Sequence, residues 1–374
     1  MEKEKSCPEV FEFPPAVYAV GDRYCITVPV NRETVMWVRI GGREYFDDFN
    51  GVLCSASHVH KMEVPMAELD AAGEYTVVWR VVNERKAYFS DLSEPFEWSC
   101  RFRPVTGERI NVYHIADAHS RVGGPVGAGE YFGDDLDLLI LNGDIANHSG
   151  EKKNVMAIPE IAGRLTKGEI PIIFARGNHD TRGTLAEKLG DYIPTDNGHT
   201  YYTVRLGNIW AIVLDCAEDK PDGNAEYGGV NCCHDFRLRE TGFLKRVAAD
   251  PDTEYNAPGV VHRLVIVHSP FSWTDKPPFD IEIPLYTEWC RILREEIKPD
   301  LMICGHRHQI YLSMPGSGSD HKGQPCPLVC ASKPFKDNPE AFVGGAFTFE
   351  KDRTVIRFTD SEHCVVEEHV LTKQ

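Results

Sequence analysis

The fold of this chain is decided by the stretch IPIIFARGNHD, residues 170–180. Its first part, Ile170 to Ala175, is an apolar run that predicts a buried strand. Gly177 predicts a sharp turn after this strand, because glycine lacks a Cβ atom. The polar residues Asn178-His179-Asp180 follow the turn, and in open α/β sheets ligands bind at the carboxyl ends of strands. The stretch therefore predicts an α/β protein with a polar site at one end of its sheet.

Four other predicted strands end in side chains of the same kind. Each is an apolar run followed at once by carboxylate or imidazole groups: Asp117-Ala118-His119, Gly143-Asp144, His268 and Gly305-His306-Arg307-His308. A strand places the side chains of one face at every second residue. Asp-x-His and His-x-His therefore each point two ligands the same way, if the extended geometry continues past the end of the strand.

The chemistry of these side chains predicts a metal site. Carboxylate, amide and imidazole groups suit Mn, Fe or Zn, and the set lacks the thiolates of a structural zinc site. Seven ligands are too many for one tetrahedral ion, but they fit two ions that share a bridging carboxylate. Such a pair of ions lowers the pKa of a bound water and neutralises charge on a phosphate oxygen during in-line attack.

The order of these five segments resembles that of the calcineurin-like metallophosphoesterase superfamily. The resemblance extends over roughly residues 108–350 and includes every signature block in order. It implies an α/β fold of four layers, αββα, in which a double β-sandwich is flanked by helices. It also implies a dinuclear-metal-dependent hydrolase of phosphate esters, either a phosphomonoesterase or a phosphodiesterase, in which metal-activated hydroxide attacks phosphorus.

The resemblance further implies a role for each site residue. Two divalent metal ions are expected to share seven ligands: Asp117, His119 and His308 on one ion, Asn178, His268 and His306 on the other, and Asp144 between them. His179 matches the family's histidine that does not bind metal, and it stabilises the phosphoryl group or protonates the leaving oxygen. Asp180 is expected to orient a histidine or to cap a helix. Further candidates for substrate binding are Arg121, His148 and Arg307.

The residues before Pro104 predict a separate all-β domain. Strands are predicted at 24–30 and 35–40, with a turn at 31–34 between them, and Gly41-Gly42 predicts a hairpin turn. Short strands at this spacing are typical of an antiparallel sandwich of immunoglobulin or fibronectin type.

The pattern changes near Pro104 to strands that alternate with helices, which indicates an α/β domain. The predicted domains are therefore residues 1–105, the β-sandwich, and residues 106–374, the catalytic domain. Purple acid phosphatases also place a sandwich module before this catalytic domain. They carry a metal-binding Tyr three residues after the Asp of Gly-Asp, whereas this chain has Asn147, and they usually have Gly-Asn-His-Glu. These departures disfavour a coloured ferric site, and the chain is placed in the broad superfamily and not in that branch.

Charge and composition limit the partners of the chain. Its 374 residues carry a net charge of −17, which argues against a general binder of nucleic acid or of anionic membranes. No apolar run approaches the roughly 20 residues that span a bilayer, and the first eight residues lack the apolar segment of a signal peptide. The expected partner is a small phosphorylated substrate, and the chain is expected to be a monomer or a homodimer.

The twelve cysteines include no paired Cys-x-x-Cys set, so they predict reduced thiols and a cytoplasmic location. Some questions stay open at this stage. Loop 217–235 is either a lid over the site or a surface excursion. The preference for monoesters or diesters and the natural substrate are not indicated. The alternative function is a non-catalytic metal-binding scaffold that recruits protein partners through the β-sandwich, but the chain keeps all the ligands and His179.

Overall fold

The computed structural model describes residues 7–373. The first six residues, on which the expectation about a signal peptide largely rests, lie outside the described residues. Across the range that is described, none of the helices has both the length and the apolar character needed to cross a bilayer.

Residues 7–373 form twenty-two strands and six α-helices. The strands are β1 (Ala16–Val20), β2 (Arg23–Ile40), β3 (Arg43–Phe46), β4 (Asp48–Phe49), β5 (Leu53–Cys54), β6 (Ser57–Pro65), β7 (Glu74–Glu84), β8 (Asp91–Leu92), β9 (Phe96–Arg101), β10 (Ile110–Ile115), β11 (Leu138–Asn142), β12 (Pro171–Ala175), β13 (Tyr202–Leu206), β14 (Ile209–Leu214), β15 (His262–Val267), β16 (Leu301–Cys304), β17 (Ile310–Ser313), β18 (Leu328–Ala331), β19 (Lys333–Phe335), β20 (Asn338–Glu350), β21 (Arg353–Asp360) and β22 (Val365–Thr372). The helices are α1 (Met66–Ala72), α2 (Gly123–Gly129), α3 (Lys152–Val155), α4 (Ala157–Thr166), α5 (Cys233–Ala248) and α6 (Ile283–Ile292), which continues as a π-helix over Leu293–Ile297. Short 3₁₀ helices lie at Glu130–Asp135, His179–Thr181, Ala186–Asp191 and Ala225–Tyr227.

Two large sheets dominate the described part of the chain. The first has fourteen strands in the order β22-β21-β20-β10-β11-β12-β1-β2-β7-β8, with β19 paired to β20, β3 and β6 paired to β2, and β9 paired to β7. The second has six strands in the order β13-β14-β15-β16-β18-β17. The strands that precede the predicted site are parallel neighbours: β10, β11 and β12 in the first sheet, and β15 and β16 in the second. Their carboxyl ends therefore meet along one edge of each sheet.

The side chains of these strands are buried on both faces, which places the sheets between two layers of helices. On β10, Ile110 and Val112 point into the core between the two sheets, whereas Tyr113 and Ile115 join a second core that includes residues of α4. On the second sheet, a third core contains residues of β15 together with α5 and α6. Near-continuous apolar strands of this kind are expected when both faces of a parallel sheet are covered. The predicted four-layer αββα arrangement is confirmed.

The N-terminal region is rich in β-structure, as predicted, but the turn predicted at residues 31–34 is wrong. Strand β2 runs without a break from Arg23 to Ile40. Its first half pairs with β1 and β6, and its second half pairs with β7 after a shift of register between Pro29 and Thr34. The polar residues 31–33 are exposed where the strand changes partners, so their polarity marks solvent contact and not a turn. The hairpin turn predicted at Gly41-Gly42 is confirmed between β2 and β3.

The division of the chain after residue 105 stays a prediction. Strand β1 pairs in parallel with β12, the strand of the opening stretch, so the first sheet includes residues from both predicted domains. The core between the two sheets likewise continues into the N-terminal region, where it includes Val77 and Trp79.

Candidate metal centre

The eight residues that were predicted as metal ligands or as the catalytic histidine lie at the carboxyl ends of five strands. Asp117 and His119 follow β10, Asp144 follows β11, and Asn178 and His179 follow β12. In the second sheet, His268 directly follows β15, and His306 and His308 follow β16. The structure brings all eight together where the ends of the two sheets face each other.

The ligands converge by a different backbone geometry from the one assumed in the sequence analysis. The extended conformation does not continue past the strand ends, because five of the residues have left-handed backbone. Their φ angles are 53° for Asp117, 48° for His119, 52° for Asp144, 69° for His306 and 52° for His308. Side chains other than glycine rarely adopt such angles, and the strain persists where the surrounding structure over-determines it, often at functional sites. Tight turns, and not strand periodicity, therefore aim these side chains.

Gly177 and Gly143 allow two of the turns to approach each other closely. A Cβ on Gly177 would lie 2.2 Å from Asp144 Oδ1 and 2.4 Å from the backbone nitrogen of Asp144. A Cβ on Gly143 would lie 2.6 Å from Gly177 Cα, and its φ of +78° adds a second requirement for glycine. The sequence predicted a glycine-dependent turn at Gly177 because glycine lacks a Cβ atom, and in the structure that Cβ would fill the space beside Asp144.

One group of ligand atoms consists of Asp117, His119 and His308. The Nε2 atoms of His119 and His308 are 3.0 Å apart. Nε2 of His308 lies 3.4 Å from Asp117 Oδ1. One ligand atom from each of the three residues lies within 4.8 Å of the others. The three side chains can therefore bind a single cation.

A second group consists of Asp144, His268 and His306, with Asn178 beside it. Nε2 of His268 lies 3.2 Å from Asp144 Oδ2. Nδ1 of His306 lies 3.0 Å from Asn178 Oδ1. The carboxylate of Asp144 also forms a group of atoms within 4.8 Å with His119 and His179. Asp144 therefore stands between the two groups, where a bridging ligand is needed.

Hydrogen bonds around the centre fix the orientation of these ligands. Nδ1 of His268 donates to the backbone oxygen of Asn142 at 2.7 Å, which leaves Nε2 facing the carboxylates. The backbone N–H groups of His306 and His179 donate to Asp117 Oδ2 at 2.9 Å and to Asp144 Oδ1 at 2.8 Å.

Asp180 supports the same turns from below. Its Oδ2 accepts hydrogen bonds from the backbone nitrogens of Gly177 and Asp144. These two hydrogen bonds hold the loop of Asp144 in place, and neither of them joins Asp180 to a histidine. Burial and the negative charge of Asp144 raise the pKa of Asp180 to about 7.

The electrostatics of the centre favour a bound positive charge. Burial lowers the pKa of His268, but the carboxylates of Asp144 and Asp117 oppose this effect and raise the pKa to about 10. Burial also lowers the pKa of His119 and of His306 to about 4, so both imidazoles are neutral donors of an electron pair at neutral pH. Neutral imidazoles beside buried carboxylates are the protonation states that a divalent cation requires.

Three buried atoms of the predicted ligands lack a hydrogen-bond partner within the described residues. They are Asp117 Oδ1, His119 Nδ1 and His268 Nε2, and the first and last of these lie 3.7 Å apart. Buried polar groups of this kind normally have a partner, and a site for a bound ion is one accepted explanation when they do not. The residues present therefore fit divalent cations in their donor types and their unmet coordination. His119 and His306 also fit in their protonation state, whereas His268 would release a proton when a cation binds.

His179 lies beside the centre with its ring held from the far side. Its Nδ1 donates to the backbone oxygen of Asn147 at 2.7 Å, because a carbonyl oxygen can only accept. Its Nε2 lies 4.0 Å from Asp144 Oδ2 and 3.5 Å from Arg182 Nη1. His179 also lines the adjacent cavity. Its Nε2 therefore faces the space in which a substrate would bind.

The cavity next to the centre has a volume of about 370 Å³. Its walls include Asp144, Asn178, His179, His306, Arg307 and His308 from the predicted set. They also include residues that the sequence analysis did not single out, among them Arg182, Lys220, Trp273, Phe279 and Lys322. Arg182 lies only two residues after Asp180, so its closeness to the predicted site residues in the sequence could have indicated it. The others lie in loops without a periodic pattern.

The three predicted substrate-binding residues have different environments. Arg307 lines the cavity, pairs with Asp275 and lies over the ring of Trp273. Arg121 instead donates to the backbone oxygen of Phe335 at 2.7 Å. His148 accepts a hydrogen bond from the backbone nitrogen of Gly150. The structure brings Arg307 to the centre, but it does not bring Arg121 and His148 into the wall of this cavity.

Loop 217–235 contributes one wall of the cavity through Glu218, Asp219 and Lys220. It is tied to helix α5, since the guanidinium of Arg237 donates to the backbone oxygens of Cys216 and Glu218. The first part of the loop therefore belongs to the cavity, and its action as a lid stays a prediction.

Comparison with known proteins identifies one family and several solved structures of similar fold. A family model described as calcineurin-like phosphoesterase matches residues 110–310, which is more than half of the chain. No curated protein sequence matches the chain significantly.

Three solved structures are similar in fold. The purple acid phosphatase PPD1 from seeds of yellow lupin (Lupinus luteus) has a TM-score of 0.57 at 12% identity, and the match covers 96% of this chain and 74% of that protein. A structure of PhoD has a TM-score of 0.56 at 9% identity and covers 99% and 90%. A dimetal phosphatase from Danio rerio has a TM-score of 0.50 at 13% identity and covers 73% and 100%. At these identities the likeness concerns the fold alone, and with the purple acid phosphatase it extends into the N-terminal β-rich region.

Proposed function

The chain belongs to the calcineurin-like phosphoesterase family, and from this premise we propose that it hydrolyses phosphate esters at a dinuclear metal centre with the help of His179. As a member of this family it is a metal-dependent phosphoesterase. The observation that carries the proposal is the convergence of three groups of ligand atoms, two of which share Asp144.

Each residue has a defined part in the proposed reaction. Asp117, His119 and His308 would hold one cation, Asn178, His268 and His306 would hold the other, and Asp144 would contribute to both. When bound, the two cations activate a water as the nucleophile and neutralise charge on the phosphoryl oxygens. The hydrogen bond from Nδ1 of His179 to the backbone oxygen of Asn147 orients the ring so that Nε2 can deliver a proton to the leaving oxygen.

Asn147 contributes to the site through its backbone oxygen, which accepts the hydrogen bond from His179, and not through its side chain. Purple acid phosphatases carry a metal-binding Tyr at the corresponding place, whereas here the side chain of Asn147 is exposed. We therefore propose a pair of divalent ions, Mn, Fe or Zn, without a tyrosinate ligand. The donor set of carboxylate, amide and imidazole groups supports this choice.

The proposed function is tested by metal content and by turnover of p-nitrophenyl phosphate and bis-p-nitrophenyl phosphate. We expect two bound ions in the wild-type chain and in His179→Ala. The hydrogen bond from residue 179 to the ligand Asp144 is donated by the backbone nitrogen, so the substitution leaves it in place. Turnover by His179→Ala should fall by about 10²–10⁴-fold, the usual contribution of a general acid. The ratio of turnover on the two substrates distinguishes monoester from diester preference.

A matched control is His148→Ala, since His148 is a nearby histidine outside the cavity wall. This variant should retain turnover close to that of the wild type. Fewer than two bound ions in the wild type, or equal turnover by His179→Ala, would contradict the proposed mechanism. Two bound ions without turnover of any phosphoester would instead favour the scaffold function.

We also propose a cytoplasmic location and a small phosphorylated substrate. Eight of the cysteines are buried free thiols, which is how reduced cysteines pack in proteins of reducing compartments. The cavity of about 370 Å³ suits a small molecule. Sedimentation of the purified chain distinguishes a monomer from a homodimer.

A further inference from the structure

One wall of the cavity beside the metal centre is apolar. It is formed by a single stretch of chain between His268 and the first turn of α6, and its members are Phe271, Trp273, Phe279, Ile281 and Tyr286. The same cavity is lined by four of the predicted ligands, Asp144, Asn178, His306 and His308, and by His179. A molecule in this cavity can therefore contact both the metal-binding groups and the aromatic rings.

The aromatic rings of this wall are held by packing and by cations. Phe271 packs against Tyr286 and Trp289, with ring centroids 5.7 and 5.5 Å apart. The guanidinium of Arg307 lies 5.0 Å from the ring centre of Trp273. Because Arg307 stands between the ligands His306 and His308, the position of Trp273 is linked directly to the metal-binding turn. The apolar wall is therefore part of the preformed site.

The cationic side chains that line the cavity are already neutralised by neighbouring groups. Arg182 donates to both carboxylate oxygens of Glu218 at 2.7 Å. Lys220 lies 3.3 Å from Asp219 and 2.9 Å from Glu226. In the same way, Arg307 pairs with Asp275.

The remaining cation, Lys322, is buried and is held by backbone carbonyl oxygens of the apolar wall. Its ammonium group donates to the oxygens of Phe271 and Trp273. Three of the four cationic side chains in the lining are thus paired with carboxylates, and the fourth, Lys322, is held by carbonyl oxygens. Among the described residues that line the cavity, no cation outside the metal centre is therefore free to bind a second anionic group.

We propose that this cavity binds the alcohol part of the substrate, and that this part is an uncharged aromatic group that carries a single phosphate. The inference rests on the proposed function and specifies its substrate class. Hydrolysis would add water across the ester. The oxygen of water forms the new bond to phosphorus, the bond between phosphorus and the aryl oxygen breaks, and the aryl oxygen takes up a proton and leaves as the neutral phenol. Apolar burial favours such a group, whereas an additional carboxylate or phosphate would lose hydration without gaining a free cation.

The test measures binding of non-hydrolysable phosphonates to the full chain loaded with Mn, by titration calorimetry. The probes are methylphosphonate, phenylphosphonate and 3-phosphonopropionate, which add to the phosphonate a methyl group, an aromatic ring and a second anion. We expect phenylphosphonate to bind at least about tenfold more tightly than methylphosphonate, a difference of about 1.4 kcal/mol. The probe with the second anion should bind no more tightly than methylphosphonate.

Variants of the apolar wall link the preference to this cavity. In Phe279→Ala and in Trp273→Ala the ratio of the two affinities should fall towards one. Phe279 is 40% exposed, so its replacement is expected to be tolerated even if the Trp273 variant does not fold. Phe96→Ala is the matched control, because Phe96 is an exposed aromatic residue in the N-terminal region, and it should leave the ratio unchanged.

The outcomes separate this inference from the proposed function. If methylphosphonate binds but the phenyl group adds nothing, or if the second anion strengthens binding, the inference is wrong and the function stands. If the ratio is unchanged in both wall variants, the aromatic group binds elsewhere and the inference is also wrong. If none of the phosphonates binds to the metal-loaded chain, the proposed function fails and this inference fails with it.

Discussion

Replacing Gly177 with alanine tests the close packing beneath Asp144. The added Cβ would lie 2.2 Å from Asp144 Oδ1, and ordinary contacts of this kind begin at 3.4 Å. Gly177 and Asp144 must therefore move apart by about 1 Å, because the added Cβ would also lie 2.4 Å from the backbone nitrogen of Asp144, which cannot rotate away as a side-chain atom could. The backbone of Gly177 does not have a positive φ angle, so the variant examines space and not conformational freedom.

The displacement should weaken both folding and metal binding. Overpacking of a close contact costs about 1–3 kcal/mol. Asp144 Oδ1 also accepts the hydrogen bond from the backbone of His179, which is 2.8 Å long in the wild type. Changes to groups that orient a metal ligand lower metal affinity by about 10–100-fold. We therefore expect Gly177→Ala to bind at least one Mn ion about 10–100-fold more weakly than the wild type.

The assay is calorimetric titration of the metal-free chain with Mn, together with thermal unfolding in the presence of a chelator. Gly190→Ala serves as the matched control. A Cβ at Gly190 meets nothing nearer than Thr195 Cγ2 at 3.9 Å, and this glycine also lacks a positive φ angle. The control should bind two ions with wild-type affinity.

Wild-type affinity for both ions in Gly177→Ala would refute the reasoning. Such a result would mean that Gly177 and Asp144 can move apart at little cost, and that metal affinity does not depend on the exact position of Asp144. Equal losses in Gly177→Ala and Gly190→Ala would show a general effect of added methyl groups and would refute it as well.

Three further predictions concern a buried histidine, an ion pair and an outlying arginine. Burial lowers the pKa of His114 from 6.5 to about 4. As the pH falls from 6.5 to 4, the unfolded state of the metal-free chain binds a proton before the folded state does, so the free energy of unfolding should fall by about 3 kcal/mol. Urea unfolding should show a smaller loss in His114→Gln. Arg182→Gln removes the two short hydrogen bonds that Arg182 donates to the buried carboxylate of Glu218. The free energy of unfolding, measured by thermal unfolding, should fall by about 3 kcal/mol. The double variant Arg182→Gln/Glu218→Gln should recover most of this loss, because its buried side chain at 218 is uncharged. Arg121→Ala should change kcat/KM by less than about threefold, because its guanidinium contacts Phe335 outside the cavity wall; a loss of tenfold or more would show that it reaches the substrate.

The sequence allowed the fold and the set of site residues to be predicted because both depend on local patterns. Each ligand follows a short apolar run, and buried parallel strands are recognisable as such runs. The carboxyl ends of parallel strands meet at one edge, so residues as distant as Asp117 and His308 could be expected in one place. The family model over residues 110–310 agrees with that expectation.

The geometry within the site could not be predicted from those patterns. Strand periodicity suggested that Asp117 and His119 share a face, but both residues have left-handed backbone imposed by contacts with other loops. The role of Gly177 depends on its distance from Asp144, a residue on a different strand. Such contacts between distant segments leave no trace in the local sequence.

The aromatic wall and the course of β2 were missed for related reasons. Trp273 and Phe279 lie in an irregular segment between β15 and α6, where no periodicity marks which side chains face the cavity. Residues 31–33 are polar because they are exposed at a change of strand partners, and the same polarity is typical of a turn. Tertiary context decided between the two in each case.

The central claim is that Asp144 lies between two metal ions, and electron paramagnetic resonance of the Mn-loaded chain tests it most directly. Two ions that share a carboxylate lie about 3.5–4 Å apart, close enough for their unpaired electrons to couple. We predict the spectrum of a coupled Mn pair in the wild-type chain and its replacement by that of isolated Mn in Asp144→Ala. A spectrum of isolated Mn in the fully loaded wild type, or a coupled pair that persists in Asp144→Ala, would contradict the claim.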